Sequence, residues 1–424
     1  MLPGSGGEHL YIKKAFGPMM AFLFDWTSII LLKPGTNAVF SVALGEYFMR
    51  LIFEFKLFTF FQEPSTYPEM EAEFFSNLEW YVKLTAVSAC LISTLIVSLS
   101  TKWSDRFQSV LTFGKIAALA TVIIGGIYQM IRFPANIEAS LGKPFHNTSS
   151  EPGGYLKSFD HGLWAYEGWN NLNIVSGDLV NPKINLPLSI WISVSSIIFL
   201  YILTIIGYFA VIPMATVKSS KTIAMDFGRS LFGRAGGIIM PLFVISSVFG
   251  STQSNMISTT EVVLASVDEG HMPKIFSHRS RLFGTFVYSL LFQSAISCCF
   301  ILAGSFDWLV FLYTFPQWFF YGACVIALMK LRFTDPKIER PYRVWVTTPV
   351  LFLLSCSFLI GLSFYEMPWI SFAAFGLILS GAPVWFVFVR NSGLKTAFYD
   401  LKNIITNSKK DKKDKKDEPE EKKQ

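Results

Sequence analysis

Long apolar segments separated by short polar loops restrict this chain to a membrane fold. A helix needs roughly 20 largely apolar residues to cross the hydrocarbon core of a bilayer, and about ten segments approach or exceed that length. Their ranges are 17–48, 80–100, 108–131, 158–178, 187–212, 235–264, 283–304, 306–329, 347–365 and 368–389. Because the alternating pattern of a membrane β-barrel is missing, we predict an all-α polytopic membrane helix bundle over residues 17–390.

The composition excludes the common soluble classes of protein. Hydrophobic residues make up 52% of the chain and charged residues only 16%, whereas soluble domains average about 25% charged residues. An ordinary soluble enzyme, a disordered chain and a disulfide-rich secreted module are therefore excluded. The net charge of +6 does not indicate a nucleic-acid partner, because most basic residues lie in short loops between apolar segments, where membrane lipid explains them.

The distribution of Lys and Arg predicts the orientation in the membrane. The positive-inside rule is satisfied when residues 1–16 and the charged tail 391–424 are both cytoplasmic, and the first outside loop, 49–79, is then acidic. The tail is expected to be disordered because its charged end can bury almost nothing. The sequon at Asn147 falls in the outside loop 132–157 and is a predicted glycosylation site. We expect the plasma membrane as the location.

Motifs for catalysis or metal binding are missing from the sequence. There is no HExxH, GxSxG or phosphate-binding loop, and the five His residues are scattered. All five Cys residues lie in predicted spans, where packing is the expected role and an extracellular disulfide is not available. No enzyme activity, cofactor or metal site is therefore predicted.

The segment 158–178 is too polar for a helix that faces lipid. Glu167 and Gly168 are followed closely by Asn170, Asn171 and Asn173, and such groups would cost several kcal/mol in hydrocarbon unless paired or hydrated. A broken helix that lines a polar cavity would satisfy them and could bind a small zwitterion. The alternative is that these side chains only join neighbouring helices.

Other polar residues in the spans leave two interpretations open. Lys115 in the third span could extend its ammonium to the membrane surface or could occupy the place of a coupling cation. The polar run 250–255 and Glu261 in the sixth span could form interhelical hydrogen bonds or the wall of a pathway. Lys33 and Pro34 are a possible local break in the first span.

Several of these residues belong to motifs of a known family. Residues 162–170, 172–173 and 181–187 resemble the sixth span and following loop of the L-type amino-acid transporters. These are the light subunits of heteromeric amino-acid transporters, in the amino acid–polyamine–organocation superfamily. Further motifs keep the order of the family over residues 3–390: Ser5–Glu8, Trp26–Ser28, Lys33-Pro34, Glu46-Tyr47, Glu269–Pro273, Leu331-Arg332 and Arg340–Tyr342.

The resemblance implies a LeuT-type inverted repeat of five plus five helices, followed by two more. It also implies sodium-independent exchange of L-amino acids, with Lys115 in the place of a sodium ion. Trp164 would be an aromatic gate over the substrate. The residues that would contact the substrate are Ala165, Tyr166, Glu167, Gly168 and Asn170 in the sixth-span motif, with Thr36 and Asn37 beside them.

The sequence departs from the family pattern in its first spans and its first outside loop. The Ser-Gly-Gly-Glu motif normally precedes the third family span, so the first two spans are expected to be missing. A non-transporting, truncated isoform that associates with full-length transporters and regulates them is therefore the alternative to a transporter. The loop 49–79 contains no Cys, so a disulfide-linked heavy chain is not expected, whereas a non-covalent heavy chain remains open.

Glu167 is a third departure, because many family members have Gly or Ser at this position. A carboxylate beside the substrate would form a charge-assisted contact with a Lys or Arg side chain, which favours cationic as well as neutral amino acids. The alternative is that Glu167 pairs with an internal lysine such as Lys115.

Overall fold

The computed structural model describes residues 7–59, 68–135, 151–174, 179–280, 282–337 and 342–390, together with residues 138, 142, 148 and 340. Within these residues the chain forms helices, turns and bends and no β-strand, which confirms the predicted all-α bundle. The predicted glycosylation site Asn147 and the predicted tail 391–424 lie outside the described residues.

Fourteen α-helices are numbered here in chain order. They are α1 Gly7–Phe16, α2 Pro18–Thr27, α3 Lys33–Thr59, α4 Pro68–Leu99, α5 Thr101–Arg132, α6 Pro152–Ala165, α7 Asn171–Ile174, α8 Pro182–Val211, α9 Met214–Ser219, α10 Ile223–Asp268, α11 Val287–Ala303, α12 Phe306–Thr334, α13 Thr347–Glu366 and α14 Pro368–Val384. Two π-helical stretches, Ser28–Leu32 and Trp385–Arg390, and one 3₁₀ turn, Lys274–Ser277, complete the set.

Eight helical stretches in the described part of the chain are long and apolar enough to cross a membrane. They are Pro18–Ile52, Leu78–Leu99, Gln108–Arg132, Pro182–Val211, Ile223–Asp268, Phe306–Thr334, Thr347–Glu366 and Pro368–Arg390. The predicted span 283–304 is a shorter apolar helix, Val287–Ala303, and the predicted span 158–178 is interrupted after Ala165. The two longest stretches are Pro18–Ile52 and Ile223–Asp268, with 35 and 46 residues.

The possible break at Lys33 and Pro34 is a π-helical turn rather than an interruption. The Lys33 N–H donates to the Ser28 carbonyl, five residues earlier, and the chain continues as α3. Because proline has no N–H to donate, the preceding turn cannot complete a regular α-helical hydrogen-bond pattern. The wider turn keeps α2 and α3 in one stretch and widens the backbone where it meets the cavity described below.

Helix α3 is the centre of the bundle and packs against α4, α10, α11 and α12. Small side chains at the contacts, such as Ala38 and Ala86, are fully buried and allow the helices to approach closely. Large apolar side chains on the outer helices are instead exposed, for example Trp191 and Phe199 on α8. This distribution is the one expected for a bundle whose outer surface meets lipid.

Helices α5 and α8 cross at a pair of glycines, and we expect Gly126→Ala to lower the thermal stability of the protein. A Cβ at position 126 would lie 2.4 Å from the Cα of Gly207, so the two helices would have to separate. Overpacking of this kind costs about 1–3 kcal/mol, which exceeds the gain of about 1 kcal/mol from the higher helix propensity of alanine.

The matched control is Gly361→Ala, because an added Cβ at Gly361 meets no atom within 4 Å. Melting temperatures of the purified variants in detergent would be compared with that of the wild type. Only Gly126→Ala is expected to melt earlier. Equal shifts for the two variants would contradict the close contact between α5 and α8.

Candidate functional site

Helix α6 ends at Ala165, and residues 166–170 form turns before the chain resumes as α7. Gly168 has a φ of 107°, a value that side-chain-bearing residues rarely adopt. The N–H groups of Tyr166 and Glu167 donate back to Leu163 and Trp164 at 3.1 Å, and that of Asn171 donates to Gly168 at 3.1 Å. The helix is therefore broken where the polar run of the sequence predicts it.

The break lies against a cavity of about 1090 Å³, slightly larger than the usual size of small-molecule sites, about 300–1,000 Å³. Helices α1, α2, α3, α6, α8, α10 and α12 contribute to its wall. The sequence-predicted residues that line it are Thr36, Trp164, Ala165, Glu167, Gly168 and Asn170. Polar residues of α10, among them Ser254, Asn255 and Glu261, also line it, so this part of α10 is a cavity wall.

Three other predicted residues do not line the cavity. The ring of Tyr166 packs against Tyr201, with 5.1 Å between their centroids. Asn37 is fully buried behind the wall and accepts a hydrogen bond of 2.8 Å from Asn255. Lys115 also lies behind the wall, where its ammonium donates to Ser251 Oγ at 2.8 Å.

Glu167 extends toward α12 and not toward Lys115. The hydroxyl of Tyr321 donates to Glu167 Oε1 at 2.6 Å, and the amide of Gln317 donates to the same oxygen at 3.4 Å. Tyr313 lines the cavity on the same helix face. The sequence analysis did not single out these α12 residues. Tyr313, Gln317 and Tyr321 are four residues apart in an apolar span, and this spacing places polar groups on one face of a helix.

Trp164 lines the cavity and is packed between two aromatic side chains. Its ring centroid lies 5.9 Å from that of Phe40 and 5.9 Å from that of Phe306, with an edge-on arrangement against Phe306. Aromatic side chains from α3, α6 and α12 therefore meet at this point. A movement of α6 relative to either neighbour would open or close this contact.

The cavity wall is acidic. Its carboxylates are Glu8, Asp25, Glu167, Glu261, Asp268 and Glu269. Among the described residues that line the cavity, Lys33 is the only lysine or arginine. Its ammonium donates to Asn171 Oδ1 at 3.4 Å. A concave surface lined mainly by one sign of charge concentrates ions of the opposite sign. The electrostatics therefore favour a ligand with positive charge.

Helix α1 closes one side of the cavity through polar contacts. Glu8 accepts a hydrogen bond of 2.7 Å from Asn170 in the helix break. Lys13 forms an ion pair of 2.5 Å with Glu269, just beyond α10. The hydrogen bond from the Lys13 ammonium lowers the pKa of the Glu269 carboxyl from its ordinary value. The N-terminal helix is thereby joined to both the break and the end of α10.

A bundle of membrane-spanning helices around a polar cavity at a broken helix is an architecture of membrane transport proteins. The particular family follows from comparison with known proteins: the chain belongs to the amino acid permease family, whose profile matches residues 1–388. This confirms the superfamily indicated by the sequence motifs. The family and the relatives described next are transporters and not enzymes.

Three curated relatives cover most of the chain. The b(0,+)-type amino acid transporter 1 of Mus musculus is 32% identical over 393 residues, which are 92% of this chain and 75% of the relative. The cystine/glutamate transporter of Homo sapiens is 29% identical over 385 residues, 91% of this chain and 72% of the relative. The large neutral amino acids transporter small subunit 2 of Homo sapiens is 28% identical over 413 residues, which are 96% of this chain and 72% of the relative.

Proposed function

We propose that this protein transports L-amino acids, neutral and cationic, by sodium-independent exchange through the cavity at the helix break. The similarity to amino acid transporters supports the transport of amino acids in general. The observation that carries the proposal is the position of the break itself. Glu167 and Gly168 line the cavity, and the chain leaves regular helical geometry around them.

The break offers the chemistry that an amino acid requires. Backbone N–H and C=O groups that are released from helical hydrogen bonding can bind the carboxylate and the ammonium group of the substrate. Trp164, Ala165, Asn170 and Thr36 are the proposed surrounding residues that line the cavity. Tyr166 and Asn37, which the resemblance also implied, do not line it and would act only through Tyr201 and Asn255. Glu167 would accept a charge-assisted hydrogen bond from a Lys or Arg side chain of the substrate, and the acidic wall supports this preference.

Lys115 is the basis for the proposed independence of sodium. Its ammonium bridges α5 and α10 through Ser251, and Ser251 lines the cavity. A fixed positive charge at this point would hold the two helices together without a bound coupling cation. We therefore propose that Lys115 replaces such a cation and that transport depends on the gradients of the exchanged amino acids.

The proposed setting of the transporter is the plasma membrane, with both termini cytoplasmic and Asn147 glycosylated outside. One relative is named a small subunit, which supports a partner subunit for this chain as well. Since the loop 49–79 contains no Cys, we propose that such a heavy chain associates without a disulfide bond.

Counterflow into proteoliposomes tests this function directly. Vesicles that contain the purified chain and are preloaded with unlabelled leucine or arginine are expected to accumulate labelled leucine, and vesicles without internal amino acid far less. Uptake is expected to be the same in sodium chloride and in choline chloride. A requirement for sodium would contradict the exchange mechanism, and the absence of uptake by a correctly inserted chain would contradict transport.

A further inference from the structure

Two histidines and an aspartate from distant parts of the chain meet beside the cavity. His9 Nδ1 lies 2.8 Å from Asp25 Oδ1, and His271 Nδ1 lies 2.6 Å from Asp25 Oδ2. One potential ligand atom from each of the three residues lies within 4.8 Å of the others. His9 belongs to α1, Asp25 to α2, and His271 to the turn that follows α10. We call these three residues the His-Asp-His cluster.

The donor set of the His-Asp-His cluster suits a transition-metal dication. Imidazole nitrogens and a carboxylate are common ligands of Zn²⁺, with metal–ligand distances of about 2.0–2.2 Å. Both Nδ1 atoms already face the two oxygens of one carboxylate, so small movements of these side chains would bring the donors to one ion that replaces the protons between them. Mg²⁺ and Ca²⁺ prefer sites built from oxygen ligands.

The surroundings of His9 supply a second, independent observation. His9 is 9% exposed, and its Nε2 atom is buried with no hydrogen-bond partner in the described part of the chain. The nearest carboxylate oxygen of Glu269 is 4.0 Å away, and Glu269 is itself held by Lys13. A histidine that ligates a metal through one nitrogen almost always donates its other N–H to a carboxylate, a backbone carbonyl or water. A small movement of Glu269 toward His9 Nε2 would let it take that role.

The cluster is buried at the edge of the cavity. Asp25 is 3% exposed and His271 9% exposed, so the surrounding protein holds these side chains in place. Three protein ligands leave one position open in a four-coordinate site. Since His9 and Asp25 line the cavity, water from the cavity can fill that position.

From this arrangement we propose that the His-Asp-His cluster is a binding site for Zn²⁺ or a chemically similar transition-metal dication, with Glu269 as the carboxylate that orients His9. The bound ion joins α1, α2 and the end of α10. It therefore fixes the N-terminal helix against the cavity and reinforces the ion pair between Lys13 and Glu269. None of the three ligands belongs to the helix break at 166–170, although His9 and Asp25 line the same cavity.

Calorimetric titration of the 424-residue chain with ZnCl₂ tests the proposal. The protein is purified without a histidine tag, stripped of metal with EDTA and reconstituted in lipid nanodiscs. The wild type is expected to bind one Zn²⁺ per chain far more tightly than Mg²⁺. Both His9→Ala and His271→Ala are expected to weaken Zn²⁺ binding by about 100-fold or more, and Glu269→Gln by about 10- to 100-fold.

His278→Ala is the matched control, because His278 lies near His271 in the chain but is exposed and packs against Tyr288. Its Zn²⁺ affinity is expected to equal that of the wild type. The proposal is overturned if the wild type does not bind Zn²⁺. It is also overturned if His9→Ala and His271→Ala bind Zn²⁺ as tightly as His278→Ala does.

A spectrum of the wild type keeps the test valid if the variants fail to fold. With Co²⁺ in place of Zn²⁺, nitrogen and oxygen ligands give visible d–d absorption without a thiolate charge-transfer band. That spectrum supports the His-Asp-His cluster as the site. A thiolate band would assign the metal to the cysteines and would overturn the proposal.

Discussion

Replacing Glu167 with glutamine is expected to weaken the binding of arginine and lysine by roughly 10- to 150-fold while leucine exchange stays close to that of the wild type. A hydrogen bond to a charged group contributes about 1.5–3 kcal/mol, and each 1.4 kcal/mol corresponds to about a tenfold change in affinity. The amide keeps the size of Glu167 and can still contact Tyr321, but it removes the charge that a cationic side chain would meet.

Inhibition of labelled leucine uptake by unlabelled arginine measures this effect in one preparation. The matched control is Glu79→Gln, since Glu79 is exposed and pairs with Lys83 at 2.9 Å, away from the cavity. Its arginine inhibition constant is expected to be unchanged. A loss of leucine and arginine transport to the same extent in Glu167→Gln would show that Glu167 supports the break and does not select the substrate.

Substitution of Gly168 is expected to have the largest effect on transport. A side chain at a φ of 107° is strained, at a cost of about 1–3 kcal/mol. An alanine has space there, because the nearest atom to an added Cβ is Asn171 Nδ2 at 3.5 Å. Gly168→Ala therefore isolates the backbone effect and is expected to lower exchange by roughly 5- to 150-fold. Gly168→Trp adds bulk within the cavity and is expected to abolish it.

Gly162→Ala provides the control for the Gly168 variants. Gly162 lies in α6 with a negative φ, and an added Cβ meets no atom within 4 Å. Alanine at this helical position should be neutral or slightly stabilising. Counterflow rates, normalised to the amount of folded protein, would compare the variants. Exchange by Gly168→Ala at the wild-type rate would mean that the backbone geometry at the break is not needed for transport.

The helix break was predictable because its signal is local. Glu167, Gly168 and Asn170 follow one another in an otherwise apolar region, and no lipid-facing helix tolerates that run. The partner of Glu167 was not predictable in the same way. Lys115 and Tyr321 were both polar residues in other spans, and only the packing of α12 against the break decides that Tyr321 meets Glu167.

The His-Asp-His cluster was even harder to predict from the sequence than the partner of Glu167. Asp25 and His271 are 246 positions apart along the chain, and neither residue belongs to a short metal-binding motif. Reading the sequence therefore gave five scattered His residues and no predicted metal site. The cluster forms because α1, α2 and the end of α10 converge at one side of the cavity.

From the sequence alone it follows that this chain is a membrane helix bundle, which family it belongs to, and where its fourth predicted span, 158–178, breaks. In a bilayer each backbone polar group needs a partner within its own segment, so a span or a break can be read from about 20 neighbouring residues. The packing of the helices was needed to learn which side chains face one cavity, that Lys115 lies behind its wall, and that His9, Asp25 and His271 meet. Such contacts depend on the relative rotation and packing of whole helices, and short stretches of sequence do not encode these separately.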